Sequence, residues 1–385
     1  MRMKHYKFLI VLLVFFQTTF AQTKNNYYLL LRNAEKKIVN NQLDSSLVNY
    51  NQAFVKYNYP FVRDITAAAC VAHFANDTNC LYRYIEILLK RGMSLVELDY
   101  FIQKRPNDKK LLVYKDKFTT YQNYYLSSID KELEKELRYL DKKNQIDLAY
   151  VRIHYKTEID KFKSTQRKKF YDTLVAKYIY LIHQYGILSE KEIGLGSSIF
   201  LRWTNDKNNT FHKDIIYEYI DSPDIRENKK DSVFFGYSYI KNRSIYKSYT
   251  RPGNSFLWHV NLDNYPNLDS LLKTRLNTLK IYPNFYAACH ERSKGGMKAS
   301  EDYCIAWESA TKQKYHFDLK KIIEAPEAEQ INKLRASIYI RSLQEDLALF
   351  EALQKLENLK YKHYFKLRAK GNSLFFNVLF TRVMP

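Results

Sequence analysis

A chain of 385 residues is long enough to hold two or three domains, each with a hydrophobic core of its own. Its net charge of +21 would suit nucleic acid or an anionic surface as a partner. The basic residues form only short runs, of which Arg167–Lys169 is the longest, and acidic residues are interspersed among them. This distribution is typical of solvated helix faces, so it argues against nucleic acid and leaves the anionic polymers of a cell envelope as an open choice.

The first 21 residues have the pattern of a secretory signal peptide. Three basic residues within the first seven positions precede an unbroken apolar run, Phe8–Phe16, and the small residues Thr19 and Ala21 occupy the positions that signal peptidase reads. The apolar run is too short for a bilayer-spanning helix, which needs about 20 residues. We therefore expect cleavage before Gln22, export to the periplasm or outside the cell, and no membrane span once the signal is removed.

A pattern of small and aromatic residues then recurs at a spacing of 34 positions. Each copy has two small residues, then a tyrosine, then a small or apolar residue. The first copy has them at Ala34, Ser46, Tyr50 and Ala53, and the second has them at Ala68, Cys80, Tyr84 and Ile87. Turn residues lie between the matched sites, at 40–41 and at 76–77. The pattern predicts two helical hairpins, in which small residues let the helices approach and each tyrosine fills the gap to the next hairpin.

This spacing resembles the tetratricopeptide repeat over residues 26–92. The common tryptophan and early glycine of that family are absent, and Ile87 stands where a small residue is usual. A third copy would be degenerate, with Ile102, Tyr114, Phe118 and Tyr121 at the matching sites. The resemblance implies a concave face that binds a protein or peptide, and it implies that Tyr50 and Tyr84 contact this partner. The alternative is that the repeats only pack against the rest of the chain, for example under residues 120–220.

Four cysteines follow the signal and form two local pairs. An even number of cysteines in an oxidising compartment indicates disulfides. Of the three possible connectivities, nearness in sequence favours Cys70–Cys80 and Cys289–Cys304, and four buried thiols are the alternative. In the hairpin interpretation Cys70 and Cys80 lie on the facing helices of one hairpin. No Cys-x-x-Cys spacing occurs, so we expect no zinc site.

The middle of the chain predicts further helices. Apolar residues follow helical spacing over 166–186, and Gly186 stands where a C-terminal cap belongs. Ser189–Glu192 has the sequence of a capping box that opens a second helix, 189–203. These two helices are expected to form a hairpin, with another helix at 208–220.

After Pro223 the pattern changes to a charged loop and then to an aromatic stretch without a clear period. Helical spacing resumes at 267–279 and again at 343–356. Near the end, apolar residues alternate over 365–380 on either side of the turn at 370–372. This alternation predicts a small terminal β-hairpin.

Candidates for catalysis are few. None of the eight histidines after the signal has a spacing typical of metal ligands, so we expect neither a metal nor a cofactor. The best candidates are His259, His290 and Glu291. The last two lie at the base of a glycine-containing loop between Cys289 and Cys304. If these three side chains cluster around a pocket, they indicate an envelope hydrolase. If they lie on separate surfaces, that hypothesis loses its specific support.

We predict a mainly α chain whose helical-hairpin repeats are followed by a helical domain. The expected segments are a signal peptide at 1–21, tetratricopeptide-like repeats at 22–122, a helical domain at 123–222, and a mixed, mostly helical C-terminal domain at 223–385. The expected function is that of an exported, non-catalytic interaction protein whose repeats bind a protein or peptide in the cell envelope. The alternative is an envelope hydrolase with a site in the C-terminal half.

Overall fold

The fold is mainly α, as predicted. The computed structural model describes residues 27–93, 95–133, 136–137, 140, 166–186, 189–193, 257, 260, 262–293 and 323–356. Within these ranges there is no β-strand and no helix that is long and apolar enough to cross a membrane. The predicted signal peptide, the helix at 208–220 and the terminal β-hairpin lie outside them.

From residue 27 to residue 128 the described helices follow one another through short turns. The first part contains α1 (27–39), α2 (Leu43–Lys56), α3 (Val62–Phe74), α4 (Thr78–Lys90), α5 (Leu95–Lys104), α6 (Lys109–Asp116) and α7 (Phe118–Ser128). The second part contains α8 (Gln166–Tyr185), α9 (Glu190–Ile193), α10 (Pro266–Asn277), α11 (Pro283–Ser293), α12 (Ala328–Ser337) and α13 (Leu343–Leu356). A short 3-10 turn, Leu262–Asn264, precedes α10.

The turns of the first two hairpins have the chemistry that their sequences indicate. Asn41 and Asn76 both have positive φ, 55° and 58°, a region that asparagine enters more readily than most residues. The side chain of Asp77 then accepts the backbone N–H of Cys80 at 3.0 Å and caps α4. The result is a series of packed neighbours in which α3 lies against both α2 and α4.

Small residues set the close packing of these hairpins. Ala34 of α1, Ala53 of α2 and Ala68 of α3 are fully buried. Their short side chains let the helices approach, so the tyrosines at the matched positions are enclosed between neighbouring helices. One core cluster joins this region to side chains of α12 and α13.

A second core cluster is built around α8, α10 and α11. Tyr178 of α8, Leu272 of α10 and Phe285 of α11 are each fully buried in it. α8 ends as its sequence predicts, because Gly186 has a positive φ of 77°. Ser189 accepts the N–H of Lys191 at 3.2 Å, which caps the following helix from the position predicted for the capping box.

The helix predicted at 343–356 is confirmed as α13. A reciprocal capping box opens it: Ser342 Oγ accepts the N–H of Glu345 at 3.1 Å, and Glu345 accepts the N–H of Ser342 at 2.8 Å. The helix predicted at 267–279 is present as α10, although it ends at Asn277 and Leu279 already has a positive φ of 55°. That turn brings Leu279 to the repeats.

Candidate functional site

The inner part of the repeats is covered by the C-terminal half of the same chain. Every residue of Val62–Ala72 in α3 is buried, so this helix has no open face. Leu279 belongs to the same core, and Tyr282 packs against it. The Tyr57 hydroxyl donates to the Leu279 carbonyl at 2.6 Å, and the Phe61 ring meets the Tyr282 ring edge-on at 5.5 Å. These covering segments lie beyond the 120–220 range that the sequence interpretation considered, although Glu190 of that range also contacts Val62 at the start of α3.

Tyr50 and Tyr84, the predicted partner contacts, are core residues, and each is only 1% exposed. Phe54 lies between them, with its ring 5.9 Å from that of Tyr50 and 5.8 Å from that of Tyr84. The Tyr84 hydroxyl donates to the side chain of Asn51 at 2.5 Å. The structure therefore places both rings where the packing role of the repeat pattern requires them, and neither offers a surface to a partner.

The Cys70–Cys80 bridge is not formed in the structure, where Cys80 carries a free thiol. The two side chains lie in different surroundings. Cys70 is fully buried in the middle of α3, whereas Cys80 is half-buried near the surface and accepts from Arg83 Nη2 at 3.6 Å. Cys289 is buried, but Cys304 lies outside the described residues, so the second bridge stays a prediction.

Three tyrosines of α4 and α7 lie wholly or partly at the surface of the protein. We call Tyr82, Tyr121 and Tyr124, together with Lys90 and Lys110, the tyrosine surface. Tyr124 is 56% exposed, and the other two rings are half-buried. Lys110 Nζ lies 4.6 Å from the centroid of the Tyr82 ring, which is a cation–π distance. The pKa of Lys90 is raised, chiefly by its hydrogen bond to Glu86, and Tyr121 and Tyr124 are close enough to contribute.

The underlying layer holds the tyrosine surface in place. The Tyr82 hydroxyl donates to both carboxylate oxygens of Asp108, at 2.8 and 2.9 Å. Asp108 also caps α6 by accepting the N–H of Lys110 at 3.1 Å. Beneath them the buried Tyr114 donates to the Tyr82 carbonyl at 3.4 Å and packs its ring 6.2 Å from that of Tyr121. Because these rings are fixed before any partner arrives, they would lose little entropy on binding.

A half-open cleft of about 180 Å³ lies between α1 and the start of α13. We call it the α1–α13 cleft. Its lining residues are Arg32, Glu35, Lys36, Val39, Asn40, Arg341, Glu345, Ala348 and Leu349. Charged groups thus share the cleft with an aliphatic wall.

The floor of the cleft is a buried network of ion pairs. Arg341 Nη1 lies 2.5 Å from Glu35 Oε1, and its Nε donates to Asp346 Oδ1 at 2.6 Å. The other oxygen of Asp346 is paired with Arg335. Such pairs are well satisfied as a set, but removing one member leaves a buried charge that is costly.

Burial and pairing move the pKa values of these carboxyl groups in opposite directions. Burial raises the pKa of Glu35 above its ordinary value, against the lowering effect of Arg341. Burial also acts to raise the pKa of Asp346, but the guanidinium groups of Arg335 and Arg341 outweigh it, and the net result is a lowered pKa. Asp346 is therefore held as a carboxylate between two arginines.

The charged side chains at the mouth of the cleft have different partners from those at its floor. Lys36 Nζ lies 3.3 Å from Glu345 Oε1. Arg32 donates through Nη2 to the backbone carbonyl of Ile340, and its buried Nε has no hydrogen-bond partner among the described residues. Among the described residues Arg32 forms no ion pair within 4 Å, although its charge helps to lower the pKa of Glu345.

A buried carboxyl group joins α9 to the beginning of α3. Glu190 Oε2 accepts the backbone N–H of Val62 at 3.0 Å. Burial raises the pKa of Glu190 to about 8, although that hydrogen bond and the charge of Arg91 act to lower it. Asp64 lies nearby and also has a pKa raised by burial, to about 7.

Of the three predicted catalytic candidates, the structure describes the side chain of His290 alone. His290 Nε2 lies 2.8 Å from Asp269 Oδ1, which also accepts the Tyr286 hydroxyl at 2.9 Å. His259 and the side chain of Glu291 lie outside the described residues, so their clustering remains a prediction. No group of three or more His, Cys, Asp or Glu within the described part of the chain has an arrangement that could hold a metal ion.

The sequence interpretation did not identify the α1–α13 cleft. Arg32, Glu35 and Lys36 are spaced i, i+3 and i+4, and Arg341 and Glu345 are also four apart, which puts each set on one side of a helix or its entrance. That spacing could have marked two charged faces. It could not have shown that the two faces meet, because Glu35 and Arg341 are 306 positions apart.

Comparison with known proteins gave no match to a protein family, to a curated protein or to a solved structure.

Proposed function

We propose that this chain is an exported, non-catalytic interaction protein with tetratricopeptide-like repeats, and that it binds a protein partner on the tyrosine surface. The helical-hairpin packing of α2, α3 and α4 supports the repeat interpretation. Because α3 is enclosed by the C-terminal half of the chain, a partner has to use the outer side of the repeats.

The observation that carries the proposal is the exposure of Tyr124 beside two half-buried tyrosines and two lysines. Tyrosine is enriched at protein interfaces because its ring adds contact area while its hydroxyl tolerates water. Lys90 is paired with Glu86 at 2.7 Å, whereas the exposed Lys110 lies over the Tyr82 ring, where it would favour an acidic side chain of a partner.

A photocrosslinking experiment tests the proposal. Benzoylphenylalanine is placed at position 124 in one variant and at position 180 in another, because Tyr180 is 55% exposed on α8, away from the repeats. We expect a discrete crosslinked protein from envelope extracts with the first variant and not with the second.

The Tyr124→Ala variant should lose capture of the same protein, and Tyr180→Ala should retain it. Equal crosslinking at both positions, or capture that survives Tyr124→Ala, would contradict a partner site at the tyrosine surface.

The hydrolase alternative has one specific observation in its favour, the pairing of His290 with Asp269 at 2.8 Å. A carboxylate so placed can orient a histidine as a general base. The test is hydrolysis of p-nitrophenyl acetate by the purified chain. Loss of hydrolysis in His290→Gln, but not in the exposed control His183→Gln, would support it, and equal rates in the two variants would exclude His290 as the base.

A further inference from the structure

Charged side chains of both signs border the α1–α13 cleft. The cations are Arg32, Lys36, Arg335 and Arg341, and the carboxylates are Glu35, Glu345 and Asp346. The two deeper arginines are paired with the two deeper carboxylates, and the lysine is paired with the carboxylate at the mouth. Arg32 forms no ion pair within 4 Å among the described residues, although its charge acts on Glu345, and its hydrogen-bond acceptor is the backbone carbonyl of Ile340.

The unsatisfied donor of Arg32 is an energetic defect that an acceptor in the cleft would relieve. A buried donor without a partner costs about 1–3 kcal/mol relative to a satisfied one. An anionic oxygen is the best acceptor for a guanidinium group, since charge-assisted hydrogen bonds are shorter and stronger than neutral ones.

The rest of the cleft is suited to an aliphatic group. Val39, Ala348 and Leu349 form one wall. A volume of about 180 Å³ is somewhat larger than the roughly 150 Å³ cavity that holds benzene in an engineered protein, so it accommodates about six or seven heavy atoms.

We propose that the α1–α13 cleft binds a short aliphatic monocarboxylate of four or five carbon atoms, with its carboxylate at Arg32 and its tail against Val39, Ala348 and Leu349. The site is independent of the partner surface proposed above, because it lies on α1 and α13 rather than on α4, α6 and α7. Lys36, which is 60% exposed at the mouth, adds to the positive potential that an approaching anion meets.

Ligand-observed NMR and calorimetry on the purified chain test the site with isovalerate as the probe. Three related molecules separate the contributions: isovaleramide lacks the charge, isoamylamine reverses it, and acetate lacks the tail. We expect isovalerate to bind with a Kd of roughly 1 mM, and the other three to bind at least about tenfold more weakly.

Variants locate the site. Arg32→Met should weaken isovalerate binding by about tenfold or more, because a charge-assisted hydrogen bond is lost. Val39→Ala should weaken isovalerate binding and leave acetate binding unchanged. If Arg32→Met fails to fold, as judged by circular dichroism, Lys36→Met serves in its place, because that side chain is exposed, and a several-fold loss is expected. Lys333→Met, which removes a lysine of similar exposure on α12, is the matched control and should bind as the parent does.

Several results would overturn the proposal. They are equal binding of isovalerate and isovaleramide, equal binding of isovalerate and acetate, no binding of isovalerate, and equal losses in Lys36→Met and Lys333→Met. Each of these outcomes leaves the crosslinking result at position 124 untouched, so a failure here is distinguishable from a failure of the proposed function.

Discussion

Glu190 offers a direct measurement of how burial alters the charge of this protein. The change is Glu190→Gln, which keeps an oxygen that can accept the N–H of Val62 but removes the ionisable group. In the unfolded chain this carboxyl group releases its proton near pH 4.5, whereas in the folded chain it does so near pH 8. Between those values the folded state binds more protons than the unfolded state, so the contribution of Glu190 to stability falls as the pH rises.

The size of the effect follows from the separation of the two pKa values. A separation between 4.5 and about 8 corresponds to at most roughly 5 kcal/mol, since each tenfold change in the proton equilibrium is worth about 1.4 kcal/mol. We therefore expect Glu190→Gln to match the parent to within about 1 kcal/mol at pH 4.5 and to be more stable than the parent by about 3–5 kcal/mol at pH 9.

The assay is urea unfolding followed by circular dichroism at pH 4.5, 7 and 9. Asp64 and Arg91 lie near Glu190 in both proteins, so their own effects cancel to first order in the difference between the two curves. Glu324→Gln is the control, because that carboxylate is exposed and forms no hydrogen bond or ion pair with the described residues, and its difference from the parent should stay small at all three pH values. If the difference in the free energy of unfolding between Glu190→Gln and the parent is also the same at all three pH values, the reasoning is refuted. It requires Glu190 to be neutral in the folded protein at low pH and to carry a costly charge at high pH.

Three further predictions concern packing, ion pairs and thiols. Leu353→Ala should lower the free energy of unfolding by about 2–5 kcal/mol, since it removes a fully buried side chain from the core shared with the repeats. Lys355→Ala, which changes an exposed side chain of the same helix, should leave the urea midpoint unchanged. Asp346→Ala should cost about 3–5 kcal/mol in the same assay, because it leaves two buried arginines short of a counter-charge, and a loss below about 1 kcal/mol would contradict the buried network. In the reduced native protein, iodoacetamide should label Cys80 before the fully buried Cys70 and Cys289. Peptide mass spectrometry measures the three labelling rates, and equal rates would contradict the burial described above.

Local features of the fold could be predicted from the sequence because local chemistry determines them. Gly186 ends α8, and Asn41 and Asn76 form the two hairpin turns, since few other residues accept a positive φ. The helix at 343–356 followed from the spacing of its apolar residues. The 34-residue pattern likewise identified residues that are buried between helices.

The assignment of a role to those buried residues could not be made from the pattern. A tyrosine that fills the gap between hairpins and one that faces a partner have the same spacing, and the structure shows that Tyr50 and Tyr84 are of the first kind. The identity of the groups that cover α3 depends on contacts between distant parts of the chain, such as Phe61 with Tyr282. Helical periodicity carries no information about such pairs, since it reports only on neighbours three or four positions apart.

The pairing of α1 with the beginning of α13 has a consequence for how the chain reaches its native state. Glu35 and Arg341 are 306 positions apart, so at about 5–20 residues per second of synthesis the arginine follows the glutamate by roughly 15–60 s. During that interval the first hairpin has no counterpart for its buried carboxyl group and no cover for its apolar side. The first hairpin therefore lacks this ion pair and this cover until α13 is present, and its protection from proteases should increase when α13 packs against it.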